Sequence, residues 1–303
     1  RDFCLSRGLG DVYKRQLSES GLMMFTRTRR RVTALVAAAL MGAGVVAGPA
    51  APHAEAQNGN MVIFGDSVVA DAPSIEYLGA RIGLHPNGKS DPARWCPTSP
   101  NNFGNQAARQ LGLQPRDFSC PGAVSISRGP NIAAQIDRAV RERGLDRATK
   151  RVVLQVGFND TYNHRGEDGA KIRRDYVNYM RPQVDRIRRA APNARIQIVG
   201  YPTITGGDRV CLFHIGPNMY DATPMPTVSY WEDLAQWMNI DLARATRTQF
   251  VDLKPGTREH GMCARDDQRE FAGLIDFYAG PGNAPLHATQ RGHARMGRIL
   301  AAS

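Results

Sequence analysis

Apolar residues in this chain gather into short unbroken runs that stop at small or polar turns, and longer stretches with helical spacing lie between them. A strand buried on both faces reads as a continuous apolar run, as in a parallel sheet. On that criterion Met61 to Phe64, Arg151 to Val156, Ile196 to Gly200 and Phe250 to Leu253 are strands, with a shorter one over 116–119. Helical periodicity predicts helices over 72–82, 101–111, 131–143, 171–190, 234–246 and 289–302. In the third of these Ile132, Ile136, Ala139 and Val140 share a face opposite the charges, and Pro192 stops the fourth. Strands alternating with helices imply βαβ units, hence an α/β fold of three layers: a mostly parallel five-stranded sheet with helices on both faces.

Three stretches carry no such period. Residues 84–100 are rich in Pro, Asn, Asp and Gly and read as loop. The other two, 201–230 and 254–288, are long for a compact domain, where long loops usually serve function. Their Phe213, Met219, Tyr220, Met225 and Phe277 are expected as apolar pocket walls, with packing beneath a loop as the plainer role.

The N-terminal part reads differently. Residues 23–56 have the order of a secretory signal: Arg27, Arg29, Arg30 and Arg31, then the apolar stretch from Val32 to Ala47, then Ala54-Glu55-Ala56 before Gln57. The apolar stretch is short against the roughly 20 residues of a membrane span, although an uncleaved anchor is the competing reading. Residues 1–22 lack periodicity and look like a non-native leader. The expected mature protein is a secreted single domain over 57–303. It keeps 31 basic and 24 acidic residues, a net charge of +7. A field of that sign favours anionic envelope or lipid surfaces, but no dense Lys/Arg cluster points to nucleic acid. Four cysteines remain, Cys96, Cys120, Cys211 and Cys263. In an exported chain they imply two disulfides, with three pairings open; no C-x-x-C spacing supports a metal.

The chemistry gathers where the strands end. In a parallel sheet ligands collect beyond the carboxyl ends of the strands, and Met61 to Phe64 runs straight into Gly65-Asp66-Ser67. Gly122 follows the short strand and Asn159 follows the strand ending at Val156. A serine nucleophile needs a base and donors for the developing oxyanion. Ser67 with its own N–H, the Gly122 N–H and the Asn159 amide are the expected oxyanion hole. His287, opening the last helix, is the expected base, and His293 is a competitor at a packing position inside that helix.

These blocks, in this order over residues 61–297, resemble the SGNH hydrolase superfamily of GDSL-type esterases and lipases. Gly65-Asp66-Ser67, Gly122 in Cys-Pro-Gly-Ala, Gly157-Phe158-Asn159-Asp160 and His287 in Pro-Leu-His-Ala-Thr-Gln-Arg-Gly-His carry the match. His260-Gly261-Met262-Cys263 is most similar to the secreted actinobacterial lipase/esterase branch. The resemblance implies a flavodoxin-like sheet, a monomer working on a small-molecule or lipid ester, Ser67 and His287 as catalytic residues, and no metal or organic cofactor. It also implies bridges Cys96–Cys120 and Cys211–Cys263. One position departs: the family usually places Asp three residues before the histidine, and here Ala284 stands there. The Pro285 carbonyl is then the nearest candidate to orient His287, with Asn283 and Asp276 behind it. The substrate is left between a fatty-acyl ester and an acetyl group on a carbohydrate, and the loss of the acid leaves a non-catalytic binding protein as the rival reading.

Overall fold

The computed structural model describes residues 59–73, 96–280 and 284–303, all within one compact unit, 54–303. The expected leader, the signal segment, nearly all of the expected helix 72–82, the loop up to residue 95 and Asn283 lie outside the described residues.

In chain order, β1 (Asn60–Gly65) delivers α1 (Ser67–Ala70). After the gap come α2 (Phe103–Gln110), β2 (Gln114–Asp117) and α3 (Ile132–Arg141). Asn102 and Asn131 cap the two longer helices by accepting from Asn105 N–H and Ala133 N–H, both at 2.9 Å. Next are β3 (Thr149–Gln155), α4 (Phe158–Asn163), α5 (Gly169–Ala190) and β4 (Arg195–Val199). Helix α5 continues past Pro182, and Pro182 and Asn178, whose carbonyl loses its intrahelical partner, are both exposed to solvent.

Four short strands occupy the first long loop: β5 (Arg209–Val210), β6 (Phe213–Gly216), β7 (Met219–Tyr220) and β8 (Thr223–Pro224). Helix α6 (Pro226–Thr246) begins eight residues before the expected Leu234. Val228, Trp231 and Ala235 carry the apolar spacing back to its first turn, and a proline at N1, the usual opening residue, marks the start. The chain ends with β9 (Gln249–Val251), α7 (Lys254–Thr257), β10 (Ile275–Asp276) and α8 (Gln290–Ala302).

The central sheet has the order β2-β1-β3-β4-β9 and every pairing in it is parallel, the flavodoxin-like order. Alternate residues of β1 explain how both faces are covered: Val62 and Phe64 pack with α3, α5 and α6, while Met61 and Ile63 pack with α2 and α8. Each such fully buried side chain contributes roughly 1.5–3 kcal/mol relative to exposure. The order reverses between β1 and β3, so a crevice opens beyond their carboxyl ends. A second sheet, β10-β6-β7, joins the two long loops, which are also tied by the Cys211–Cys263 disulfide. Among the described residues no helix is long and apolar enough to cross a membrane, and no group of three or more His, Cys, Asp or Glu is placed to hold a metal ion.

Candidate active site

The turn after β1 is built for close approach. A Cβ at Gly65 would lie 2.2 Å from Val69 Cγ2 and 2.7 Å from the Gln155 carbonyl, so only glycine fits. The Gln135 side chain, reaching over from α3, accepts from Gly65 N–H at 3.0 Å and donates to Gly65 O at 2.8 Å. That pairing continues the sheet where no strand is present. Asp66 caps α1 by accepting from Val68 N–H at 3.0 Å, which sets Ser67 at the first helical position. Asp66 is fully buried, and burial pushes its carboxyl up to about 7, against hydrogen bonds from Tyr201 and Val68 that favour the charged form.

The second block is pinned to the first. Cys120 N–H donates to Gly65 O at 3.0 Å, and the Cys96–Cys120 disulfide holds the same loop. Gly122 has φ 77, the left-handed region that glycine tolerates best. Just beyond it, Ala123 O accepts from Asn159 Nδ2 at 2.8 Å, and Asn159 Oδ1 accepts from the Tyr162 hydroxyl at 2.6 Å. These bonds fix which way the Asn159 amide points and leave its other N–H to serve a ligand. Asp160, next in sequence, receives Ser125 N–H at 2.9 Å, Ser125 Oγ–H at 2.8 Å, Ile126 N–H at 3.1 Å and Ser127 N–H at 2.9 Å. One buried carboxylate thus clamps the loop that follows Gly122.

His287 Nδ1 lies 2.8 Å from Pro285 O. A carbonyl only accepts, so Nδ1 carries the proton and Nε2 is the basic nitrogen. The contact closes across Leu286, whose φ of 60 is unusual for a bulky residue. Leu286 N–H donates to Gly273 O at 3.0 Å and Ala272 N–H to His287 O at 2.8 Å, so the strained turn is held from both sides. Asp276 is engaged elsewhere, on the buried Arg269, which removes it as an orienting acid. Ala284 is buried and brings no carboxylate. His293 is buried in α8, where Nδ1 accepts from Phe103 N–H at 3.2 Å and Nε2 lies 3.2 Å from Asp71.

Ser67, Asn159 and His287 line a single cavity of about 440 Å³, together with Asp66. Gly122 is not in its lining but sits on the adjoining loop. Most of the wall is apolar, including Val68, Ile204, Leu212, Met225, Trp231 and Phe271. Of the five expected wall residues only Met225 is there. Phe213, Met219, Tyr220 and Phe277 are exposed, Phe277 by 67%. The period of β6 accounts for Phe213: its side chains alternate out and in, and His214 rather than Phe213 takes the inward position. Tyr201 and Gln135 carry no motif signal in the sequence, Trp231 shows only through its helical spacing with Val228 and Ala235, and Asp160 stands inside the third block beside Asn159.

Residues 63–295 match the GDSL-like Lipase/Acylhydrolase family, and the chain belongs to that family. Phospholipase A1 from Streptomyces albidoflavus NA297 is similar in structure at 15% identity, with a TM-score of 0.53 over 80% of this chain and 98% of that one. An extracellular lipase from Streptomyces rimosus is similar at 17% identity, with a TM-score of 0.51 over 80% of this chain and 99% of that one. At such identities the likeness is one of fold. No curated protein sequence matches the chain.

Proposed function

We propose that this protein is a secreted carboxylic ester hydrolase of the lipase type, exported through the segment 23–56 and acting over 57–303 through an acyl-enzyme on Ser67. The observation that carries the reading is the shared cavity of Ser67, Asn159 and His287, with His287 Nδ1 satisfied by Pro285 O. Ser67 Oγ attacks the ester carbonyl carbon while His287 Nε2 takes its proton. Ser67 N–H, Gly122 N–H and the Asn159 amide receive the oxyanion. The proton passes from Nε2 to the departing alkoxide as the C–O bond breaks. Water, deprotonated by the same nitrogen, then cleaves the acyl-enzyme and restores Ser67. The apolar wall suits a fatty-acyl chain. A sugar acetate would instead call for polar side chains to meet its hydroxyls, and few line this cavity.

The test is hydrolysis of p-nitrophenyl esters from acetyl to dodecanoyl by the protein and by Ser67→Ala, with an alkyl phosphonate as covalent label. Hydrolysis lost in Ser67→Ala, labelling at Ser67 and a preference for chains beyond acetyl are expected. No hydrolysis at any chain length would point to a binding protein instead.

A further inference from the structure

We propose that Tyr201 is a positioning residue for this reaction, its hydroxyl tying the nucleophile turn to the oxyanion turn. Tyr201 is fully buried two residues beyond the end of β4. Its hydroxyl donates to Asp66 Oδ2 at 2.5 Å and accepts from Phe158 N–H at 3.0 Å. Asp66 immediately precedes Ser67 and caps its helix; Phe158 immediately precedes Asn159 and opens α4. One oxygen atom therefore joins the ends of β1, β3 and β4 at the point where attacking group and oxyanion donor must keep a fixed separation. The Tyr201 ring rests on Phe158, centroids 5.6 Å apart, so the phenol is also held from the side. Placement errors of about 1 Å in such a constellation cost roughly a hundredfold in rate.

The bond also acts on charge. Asp66 is faced by Tyr201, by Asp160 on α4 and by Tyr176 on α5, and it shares the cavity with His287. Burial and the Asp160 charge favour its neutral form, whereas the Tyr201 hydroxyl favours the carboxylate. Without the hydroxyl, Asp66 holds its proton to higher pH and the half-buried Phe158 loses the acceptor of its N–H.

This inference rests on the hydrolase reading, and the experiment separates the two. Tyr201→Phe keeps the ring and removes only the oxygen. Its kcat on a p-nitrophenyl ester is expected to fall about 10- to 100-fold with KM within about threefold. Carboxyl ¹³C NMR, assigned with Asp66→Asn, is expected to show the Asp66 titration moved upward from about 7. Tyr179→Phe, which loses a hydroxyl bond to Asn131 away from the cavity, serves as control and leaves that titration in place. Asp66→Asn removes the carboxylate from the other end of the tie and is expected to lower kcat as well. An unchanged kcat in either folded variant, or an unmoved Asp66 titration in Tyr201→Phe, overturns the proposal. If the wild type hydrolyses no ester, the hydrolase reading fails, and the titration alone decides whether Tyr201 governs Asp66.

Discussion

Arg269 grips Asp276 with two parallel bonds, Nη2 to Oδ1 at 2.7 Å and Nε to Oδ2 at 3.1 Å, and both side chains are buried. Asp276 also receives Gly273 N–H at 3.0 Å and Tyr278 N–H at 2.9 Å. A carboxylate so occupied is an anchor for the second long loop. Asp276→Ala removes two of the guanidinium's bonds and leaves it with Asp266 at 2.5 Å, and is expected to cost about 3 kcal/mol of stability by urea unfolding. Its kcat, measured on the folded fraction, is expected to stay within about tenfold of wild type. A loss near 10⁴ would instead reveal a triad acid.

Asp160 uses each oxygen twice, for Ile126 and Ser127 on one side and for Ser125 on the other. An amide has only one accepting atom, so Asp160→Asn leaves two donors unmet. A loss of about 2–3 kcal/mol is expected, together with a lower kcat as the Gly122 loop shifts. Unaltered unfolding would show that the clamp is dispensable.

Trp231 forms part of the cavity wall and packs edge-on against Tyr162, centroids 6.0 Å apart. Trp231→Ala removes apolar contact that only a longer acyl chain reaches. The octanoyl-to-acetyl ratio of kcat/KM is expected to fall about 10- to 100-fold, on the order of 1–3 kcal/mol. A constant ratio across the ester series would place the acyl chain elsewhere.

The two disulfides close loops with sequence separations of 24 and 52. Chain entropy then assigns each about 3–4 kcal/mol. Replacing Cys211 and Cys263 together by serine is expected to lower stability by that amount and to raise KM for long-chain esters, because Leu212 and Met262 beside the bridge line the cavity. An unchanged KM would mean the wall stands without its bridge.

Asp66 sets a pH dependence of definite sign. Its carboxyl titrates near 3.8 when unfolded and near 7 when folded, so between those values the folded state binds more protons. The stability conferred by the neutral form is complete below 3.8 and is lost as pH rises towards 7, a difference on the order of 4 kcal/mol. Asp66→Asn carries no such loss. The Tm of the variant minus that of wild type is expected to grow from pH 4 to pH 7.5, and a constant difference would contradict the folded value.

The sheet was legible in the sequence because strands covered on both faces admit little but apolar residues, as Met61 to Phe64 illustrate. The turn chemistry was legible for a related reason: Gly65 meets Val69 too closely for any other residue, so local packing is written in one letter. The walls were not. Phe213 and His214 are neighbours, and hydropathy would bury the first, yet the pairing of β6 with β10 and β7 buries the second. Asp276 reads as a candidate near the histidine in the sequence, since its partner Arg269 reveals itself only through a three-dimensional contact. The start of α6 at Pro226 is marked by its proline and by the spacing of Val228, Trp231 and Ala235, and a start at Leu234 leaves both signals out.

The wall of the cavity is stitched to itself more than to the sheet: β6 pairs with β10, Cys211 bonds Cys263, and Arg269 locks Asp276 within the same two loops. Ser67, Asn159 and their supports belong instead to the strand ends. The proposed nucleophile and oxyanion donor are thus fixed independently of the lining around them, whereas His287, at the end of the second long loop and held by Ala272 and Pro285, takes its place from how that loop is tied.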